Sequence, residues 1–182
     1  PGFVVENRLN NGLGGGTTLS SSPVSSPDGS FVRGASLGVA NSPERLAAGF
    51  LNADTNLDLV VAIWNSAGVG VLLGNGDGTF QFKTNYPTGS GAWSVALGKF
   101  DADANLDLAV VNYASGTLTV LTGQGDGTFQ VRSNYASGNN PYHIVAADFN
   151  NDAKTALAVP NYGNDNVSIF LGNGDGSFQA AV

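Results

Sequence analysis

The segment Gly74-Asn-Gly-Asp-Gly-Thr-Phe-Gln81 decides the fold, because it returns at a fixed interval along the chain. Close copies occupy residues 123–130 and 172–179, and a shorter form, Asp28-Gly-Ser-Phe31, occurs nearer the start. The phenylalanines of the four copies lie at positions 31, 80, 129 and 178, so each copy follows the previous one by 49 residues. A constant period of this length indicates one supersecondary unit stacked on copies of itself.

Four short strands fit within each period. In the clearest copy they span residues 93–100, 106–113, 116–122 and 129–135. The second contains a continuous apolar run from Leu108 to Val111, which is typical of a strand buried on both faces, whereas residues 129–132 alternate between apolar and polar. Asp-Gly between the third and fourth strands predicts a hairpin with a type I′ turn. Four antiparallel strands in a repeat of this length describe a β-propeller blade.

The sequence therefore predicts an all-β protein made of about three full propeller blades and one partial blade. Residues 1–31 are assigned to the partial blade, with a Gly/Ser-rich loop, and residues 32–80, 81–129 and 130–182 to three successive blades. The chain begins Pro1-Gly2-Phe3 without an initiator methionine, so we expect it to be part of a longer chain.

Composition excludes several classes of function. The net charge is −7 and the seven basic residues are scattered, so no patch is expected to neutralise a nucleic-acid backbone. No apolar run approaches the roughly 20 residues of a membrane-spanning helix. The absence of cysteine removes thiolate nucleophiles and cysteine-based metal sites. These features favour a protein or glycan as the partner.

Oxygen-bearing side chains recur at alternate positions between the first and second strands of each period. Such spacing lets a tight loop direct carboxylates and amides at one point, and Ca²⁺ accepts about 6–8 oxygen ligands, backbone carbonyls and water included. The candidate ligands are Asn52, Asp54, Asn56, Asp58, Asp101, Asp103, Asn105, Asp107, Asp148, Asn150, Asp152 and Lys154.

These two motifs together resemble the FG-GAP repeat family, also catalogued as VCBS-type repeats, to which integrin α-subunit head propellers belong. The usual loop of that family is Asp-Phe-Asn-Gly-Asp-Gly-x-x-Asp-Leu and its hairpin is Gly-Asn-Gly-Asp-Gly-x-Phe. The resemblance covers residues from about 31 to 182. It implies a calcium-stabilised propeller used for extracellular recognition.

None of the three loops is complete by the standard of that family. Phe50 and Lys99 occupy the first ligand position in two copies, and Ala156 replaces the closing aspartate of the third. We therefore expect either weak, millimolar calcium binding, best at residues 52–58 and 148–154, or turns that hold no metal.

Catalysis is not expected from the acidic and basic groups present. Eleven of the twelve aspartates lie in the loops and hairpins, and only Asp165 remains. His143 is the single histidine, and its repeat equivalents are Ser94 and Arg45, so an exposed position at a loop end is expected. Any Ser-His-Asp arrangement would have to use this histidine. The sequence predicts no enzyme.

Aromatic residues recur at two further repeat positions. Trp64, Tyr113 and Tyr162 end the second strands, and Trp93 and Tyr142 precede the first strands. Such rings can stack on sugars or pack one blade on its neighbour. They are the candidate ligand-binding residues.

The sequence thus favours a non-enzymatic recognition or scaffolding module of an extracellular or cell-surface protein. One alternative is a carbohydrate-binding propeller of the lectin type. Another is a self-assembling propeller fragment that forms homo-oligomers, because three and a half blades leave strand edges and an apolar face without partners. A closed ring of four blades is a further alternative.

Overall fold

The structure is a computed structural model that describes residues 36–39, 41–66 and 68–181. These residues form eleven β-strands in three antiparallel sheets and contain no helix. The first sheet contains four strands that pair in chain order: β1 (Pro43–Gly49), β2 (Asp58–Ile63), β3 (Gly68–Gly74) and β4 (Phe80–Pro87). Since no helix occurs in the described part of the chain, none there could span a membrane.

The second sheet repeats the same order of strands. It contains β5 (Ala92–Gly98), β6 (Asp107–Asn112), β7 (Thr117–Gly123) and β8 (Phe129–Ala136). The third sheet pairs β10 with β9 on one side and with β11 on the other; the strands are β9 (Val145–Ala147), β10 (Ala156–Asn161) and β11 (Asn166–Phe170). After β11, a single isolated antiparallel bridge joins Gly172 and Phe178.

The predicted all-β architecture of four-stranded, propeller-like blades is confirmed. The strands predicted for the clearest copy agree with β5 to β8 within two residues at every end. The blade boundaries assigned at residues 80 and 129 lie at the phenylalanine of the hairpin motif. The first two sheets continue beyond these boundaries, to Pro87 and Ala136. The partial blade predicted for residues 1–31 lies outside the described residues.

The hairpins differ from the predicted type I′ turn, and that prediction is wrong. A type I′ turn needs positive φ at two consecutive residues. Here the positive values belong to Gly76 and Gly78, at 78° and 82°, and not to Asp77 between them. The Asp77 carboxylate accepts hydrogen bonds from the hydroxyl and the backbone N–H of Thr79, and these bonds lower its pKa. Aspartate thus holds an Asx turn, and the flanking glycines supply the left-handed backbone.

Alternation along the inner strands divides the apolar residues between two cores. Leu108 and Val110 of β6 pack against the first sheet, while Ala109 and Val111 pack against the third. The outer strands β4 and β8 are mostly exposed, and most residues of β1 are exposed as well, with Leu46 62% exposed. Each middle strand therefore contributes to the packing on both of its faces.

The repeated hairpin also joins each sheet to the one before it. The N–H groups of Gly127 and Gly176 donate to the carbonyls of Leu51 and Phe100, each at 2.8 Å. The N–H groups of Phe129 and Phe178 donate to the hydroxyls of Tyr86 and Tyr135, at 3.0 and 2.8 Å. These contacts explain why the hairpin motif and the tyrosine recur with the same period.

Candidate functional site

The two kinds of candidate site lie at opposite ends of the sheets. Each second strand begins after an aspartate loop and ends just before an aromatic residue, as β2 runs from Asp58 to Ile63 and is followed by Trp64. Six residues at about 3.3 Å each place the two features roughly 20 Å apart. A ligand at one end would therefore not contact the other.

The closing aspartates of the first two loops bond to backbone. Asp58 is fully buried, and its two oxygens accept from the N–H groups of Leu51 and Gly74, at 2.9 and 2.8 Å. Asp107 accepts in the same way from Phe100 and Gly123, at 2.7 and 2.9 Å. Burial raises the pKa of Asp107 against the opposing effect of these two bonds. Both carboxylates serve to join the loop to the third strand.

The remaining oxygens of these two loops form successive Asx turns. Asn52 and Asp54 accept from the N–H two residues ahead, at 2.9 and 2.8 Å. Asp101 and Asp103 repeat the arrangement at 3.0 and 2.7 Å. The amides of Asn56 and Asn105 lie against the hairpin glycines Gly76 and Gly125. The loops are therefore closed by their own hydrogen bonds.

The third loop has a different conformation. The Asp148 carboxylate accepts from the N–H groups of Asn150, Asp152 and Ala153, at 3.2, 3.3 and 2.9 Å. Desolvation acts to raise the pKa of Asp148, but these bonds outweigh it and the pKa is lowered. Asn151 and Ala153 take positive φ values of 58° and 63°. Phe149 is 47% exposed in this loop, which lacks a closing aspartate. Its equivalent in the second loop, Phe100, is 2% exposed, and its N–H group is bonded to the closing Asp107.

Ala153→Gly is expected to stabilise the protein by about 1 kcal/mol, because alanine in the left-handed region carries a steric cost that glycine avoids. The Ala153 N–H bond to Asp148 is retained in the variant. Urea unfolding should show a higher midpoint with an unchanged slope. Ala104→Gly is the matched control, since residue 104 has no positive φ and glycine there should destabilise; equal effects of the two changes would contradict this account.

Hydrogen bonds within the fold already use several of the candidate calcium ligands in the first two loops. Both oxygens of Asp58 and Asp107 are engaged by backbone N–H groups, and the first ligand position holds Phe50 or Lys99. Within the described residues, no three acidic or histidine side chains converge as metal ligands. The third loop offers two carboxylates and one amide, with the Lys154 side chain against Gly174. Calcium binding stays a prediction for residues 52–58 and 148–154, and the candidate ligands at residues 148–154 are exposed.

Five aromatic side chains from the three sheets join at the opposite end, and we call them the aromatic cluster: Trp64, Trp93, Tyr113, Tyr142 and Tyr162. Ring centroids are 5.6 Å apart for Trp64 and Trp93, 5.2 Å for Trp93 and Tyr142, and 6.5 Å for Tyr142 and Tyr162. Tyr113 lies 5.7 Å from Trp64 and 5.5 Å from Trp93. These separations are those of interacting aromatic pairs.

One backbone contact recurs under the cluster. The N–H groups of three aromatic residues donate to the carbonyls of three residues with positive φ; the pairs are Trp64 with Ser42, Tyr113 with Gly91, and Tyr162 with Asn140. The distances are 3.0, 2.8 and 3.0 Å. The same backbone hydrogen bond therefore places an aromatic residue at the equivalent position, just after the second strand, in each sheet.

The exposure of the cluster increases toward the third sheet. Trp64, Trp93 and Tyr113 are half-buried, whereas Tyr142 is 43% and Tyr162 74% exposed. The Arg45 guanidinium lies 5.1 Å from the centre of the Tyr142 ring, at cation–π distance. The buried part of the cluster therefore packs the sheets together, and the exposed tyrosines remain available to a ligand.

His143 and Ser94 meet beside the cluster. His143 Nδ1 lies 3.1 Å from the Ser94 hydroxyl oxygen, and His143 is exposed while Ser94 is buried. Within the described residues no carboxylate bonds to His143, so no Ser-His-Asp arrangement forms there.

Sequence reasoning missed a buried polar network next to the cluster. The Asn112 amide donates to the Thr117 and Thr119 hydroxyls at 3.1 and 2.9 Å, and Asn161 donates to Asn166 and Ser168 in the third sheet. The signal was present as asparagine at the end of two second strands, 49 residues apart. A second part of the signal lies on the next strand, where side chains with a hydroxyl or amide group occur two positions apart: Thr117 and Thr119 in one sheet, Asn166 and Ser168 in the other.

Three stacked antiparallel sheets, joined by hairpin contacts and carrying one aspartate loop each, define a repeat module of the β-propeller type. The family model of the FG-GAP-like repeat matches residues 51–110 and 99–159. This is more than half of the chain, and the chain belongs to the FG-GAP-like repeat family.

No curated protein matches this chain in sequence. Among solved structures, the chain is similar to one in the crystal structure of BBS1N in complex with ARL6DN, soaked with lead. The two chains are 12% identical, and the match covers 78% of this chain with a TM-score of 0.35. The matched region covers 56% of the length of the other chain.

Proposed function

We propose that this chain is a non-enzymatic recognition module of an extracellular or cell-surface protein, and that its ligand contacts the exposed end of the aromatic cluster. The observation that supports this proposal is the continuity of five rings from three sheets, which ends in the open rings of Tyr142 and Tyr162. Rigid, exposed tyrosines supply large contact area at low cost in conformational entropy, and they are enriched at recognition surfaces.

The proposal is tested by binding arrays of extracellular protein domains and of glycans, probed with the purified chain. Tyr162→Ala should weaken the strongest array signal at least tenfold, as expected when a central aromatic contact is truncated. Phe149→Ala is the matched control, because Phe149 is similarly exposed but lies at the aspartate-loop end. Arrays without a signal, or a signal that Tyr162→Ala leaves unchanged, would contradict the proposal.

Carbohydrate is the second candidate ligand, and it would use the same two rings. Its support is the position of Tyr142 and Tyr162 beside Asn166 in one cleft, since sugars combine an apolar face with hydroxyl groups. Signals confined to the glycan array would select this alternative, and signals confined to the protein array would exclude it.

A weak calcium site at residues 148–154 is a further proposal, supported by the two carboxylates and one amide of that exposed loop. Calcium that binds only the folded chain should raise the unfolding temperature in millimolar calcium relative to excess chelator. Asp148→Asn should abolish the rise, and Asp101→Asn should leave it unchanged. Identical unfolding curves for the unmodified chain with calcium and with chelator would contradict this site.

A further inference from the structure

Among the described aspartates, Asp165 is the one whose carboxylate accepts no hydrogen bond from the described residues. The others lie in the loops and hairpins, where their carboxylates accept backbone or side-chain hydrogen bonds. Asn164 and Asn166 on either side of Asp165 accept bonds from Asn139 and Asn161. The Asp165 carboxylate is exposed and accepts none from the described residues. The turn needs a positive φ at this position, 54° for Asp165, but it does not need a carboxylate, since glycine serves at the equivalent position 116 with a φ of 65°.

Asp165 borders a cleft next to the exposed end of the aromatic cluster. The cleft has a volume of about 330 Å³, and its apolar walls are Tyr142, Tyr162, Pro160 and Val167. Arg45 contacts Tyr142 but does not line the cleft. A negative charge at the edge of a cleft walled by ring faces and alkyl groups favours an organic cation with an apolar stem, through cation–π attraction and ion pairing together.

We propose that this cleft binds a lysine side chain of a protein partner, with the ammonium group at Asp165 and Tyr162 and the alkyl stem along Pro160 and Val167. A lysine side chain suits both parts, because its stem packs on apolar surface while its charged end pairs with a carboxylate. The net charge of −7 favours the approach of a basic partner. Tyr162 is too open to enclose a free small cation, so the side chain is held by a larger molecule.

This inference rests on the proposed function and is tested on the whole chain with the peptide acetyl-tetralysine-amide as the probe. Trp64 and Trp93 are the only two tryptophans, and both belong to the cluster, so tryptophan emission follows binding there. Asp165→Asn keeps the shape of the side chain and suits positive φ, as Asn140 and Asn151 show. It should weaken peptide binding at least fivefold, while Asp103→Asn, which removes the same charge at the other end, should change it less than twofold.

Four outcomes would overturn the inference: no binding of tetralysine, equal binding of acetyl-tetraglutamate-amide, equal losses in the two variants, or binding of choline as tight as that of tetralysine. The last would assign the cleft to a small quaternary ammonium. If Tyr162→Ala still abolishes the strongest array signal in these cases, the recognition surface stands and only the lysine assignment fails. If Tyr162→Ala leaves that signal unchanged, the proposed function itself fails.

Discussion

Asp107→Ala is expected to lower the free energy of unfolding by about 4 kcal/mol, because it leaves two buried N–H groups without acceptors at about 1–3 kcal/mol each. These are the N–H groups of Phe100 and Gly123, which the carboxylate joins across the end of the second sheet. Urea unfolding measures the loss directly. Asp107→Asn should show a smaller loss, since its amide oxygen retains one of the two bonds.

Asp103→Ala is the matched control for this prediction. Asp103 belongs to the same loop and also accepts a backbone bond, from Asn105 at 2.7 Å, but it is exposed. Water can replace the carboxylate there, so the loss should be about 1 kcal/mol or less. Similar losses for the two alanine variants would show that burial of the Asp107 carboxylate does not govern the stability of this sheet.

Gly123→Ala is expected to destabilise the protein by about 3 kcal/mol, because a new methyl group in a filled site forces the backbone to move. A Cβ atom on Gly123 would lie well inside contact distance of the Leu106 carbonyl, and also near the Phe129 ring. The backbone cannot retreat freely, since the Gly123 N–H is bound to Asp107. Thermal unfolding of the two chains measures the effect.

Gly38→Ala is the control for the glycine prediction, because none of the described residues lies within 4 Å of a Cβ atom there. The unfolding temperature of this variant should equal that of the unmodified chain. Unchanged stability of Gly123→Ala would mean that the third strand does not approach the aspartate loop as closely as the structure describes.

The architecture of the sheets was predictable because a 49-residue period repeats every local signal together. The alternating and continuous apolar runs placed β5 to β8 within two residues, and the hairpin motif marked the connection of the third and fourth strands. The turn type was not predictable from Asp-Gly alone. The Asp77 side chain accepts a bond from Thr79, and the positive φ angles occur at the glycines on either side of Asp77 and not at Asp77 itself.

The candidate sites were predictable in position but only partly in role. Alternate spacing identifies Asp58 and Asp107 as residues of one loop, yet their roles depend on buried N–H groups of a strand 16 residues away. In the same way, the period places Trp64 and Tyr113 at equivalent points, but their contacts with Trp93 depend on how the sheets stack. Spacing thus identifies equivalent positions, but it does not say which of these groups contact each other.

Hydrogen–deuterium exchange of the complex with the strongest array ligand tests the central claim, that recognition occurs at the exposed end of the aromatic cluster. The account predicts slower exchange at residues 139–144 and 161–167, which carry Tyr142, Tyr162 and the cleft between them. The loops at residues 52–56 and 101–105 should exchange as in the free chain. Protection of those loops, with the residues around Tyr142 and Tyr162 unchanged, would contradict the claim.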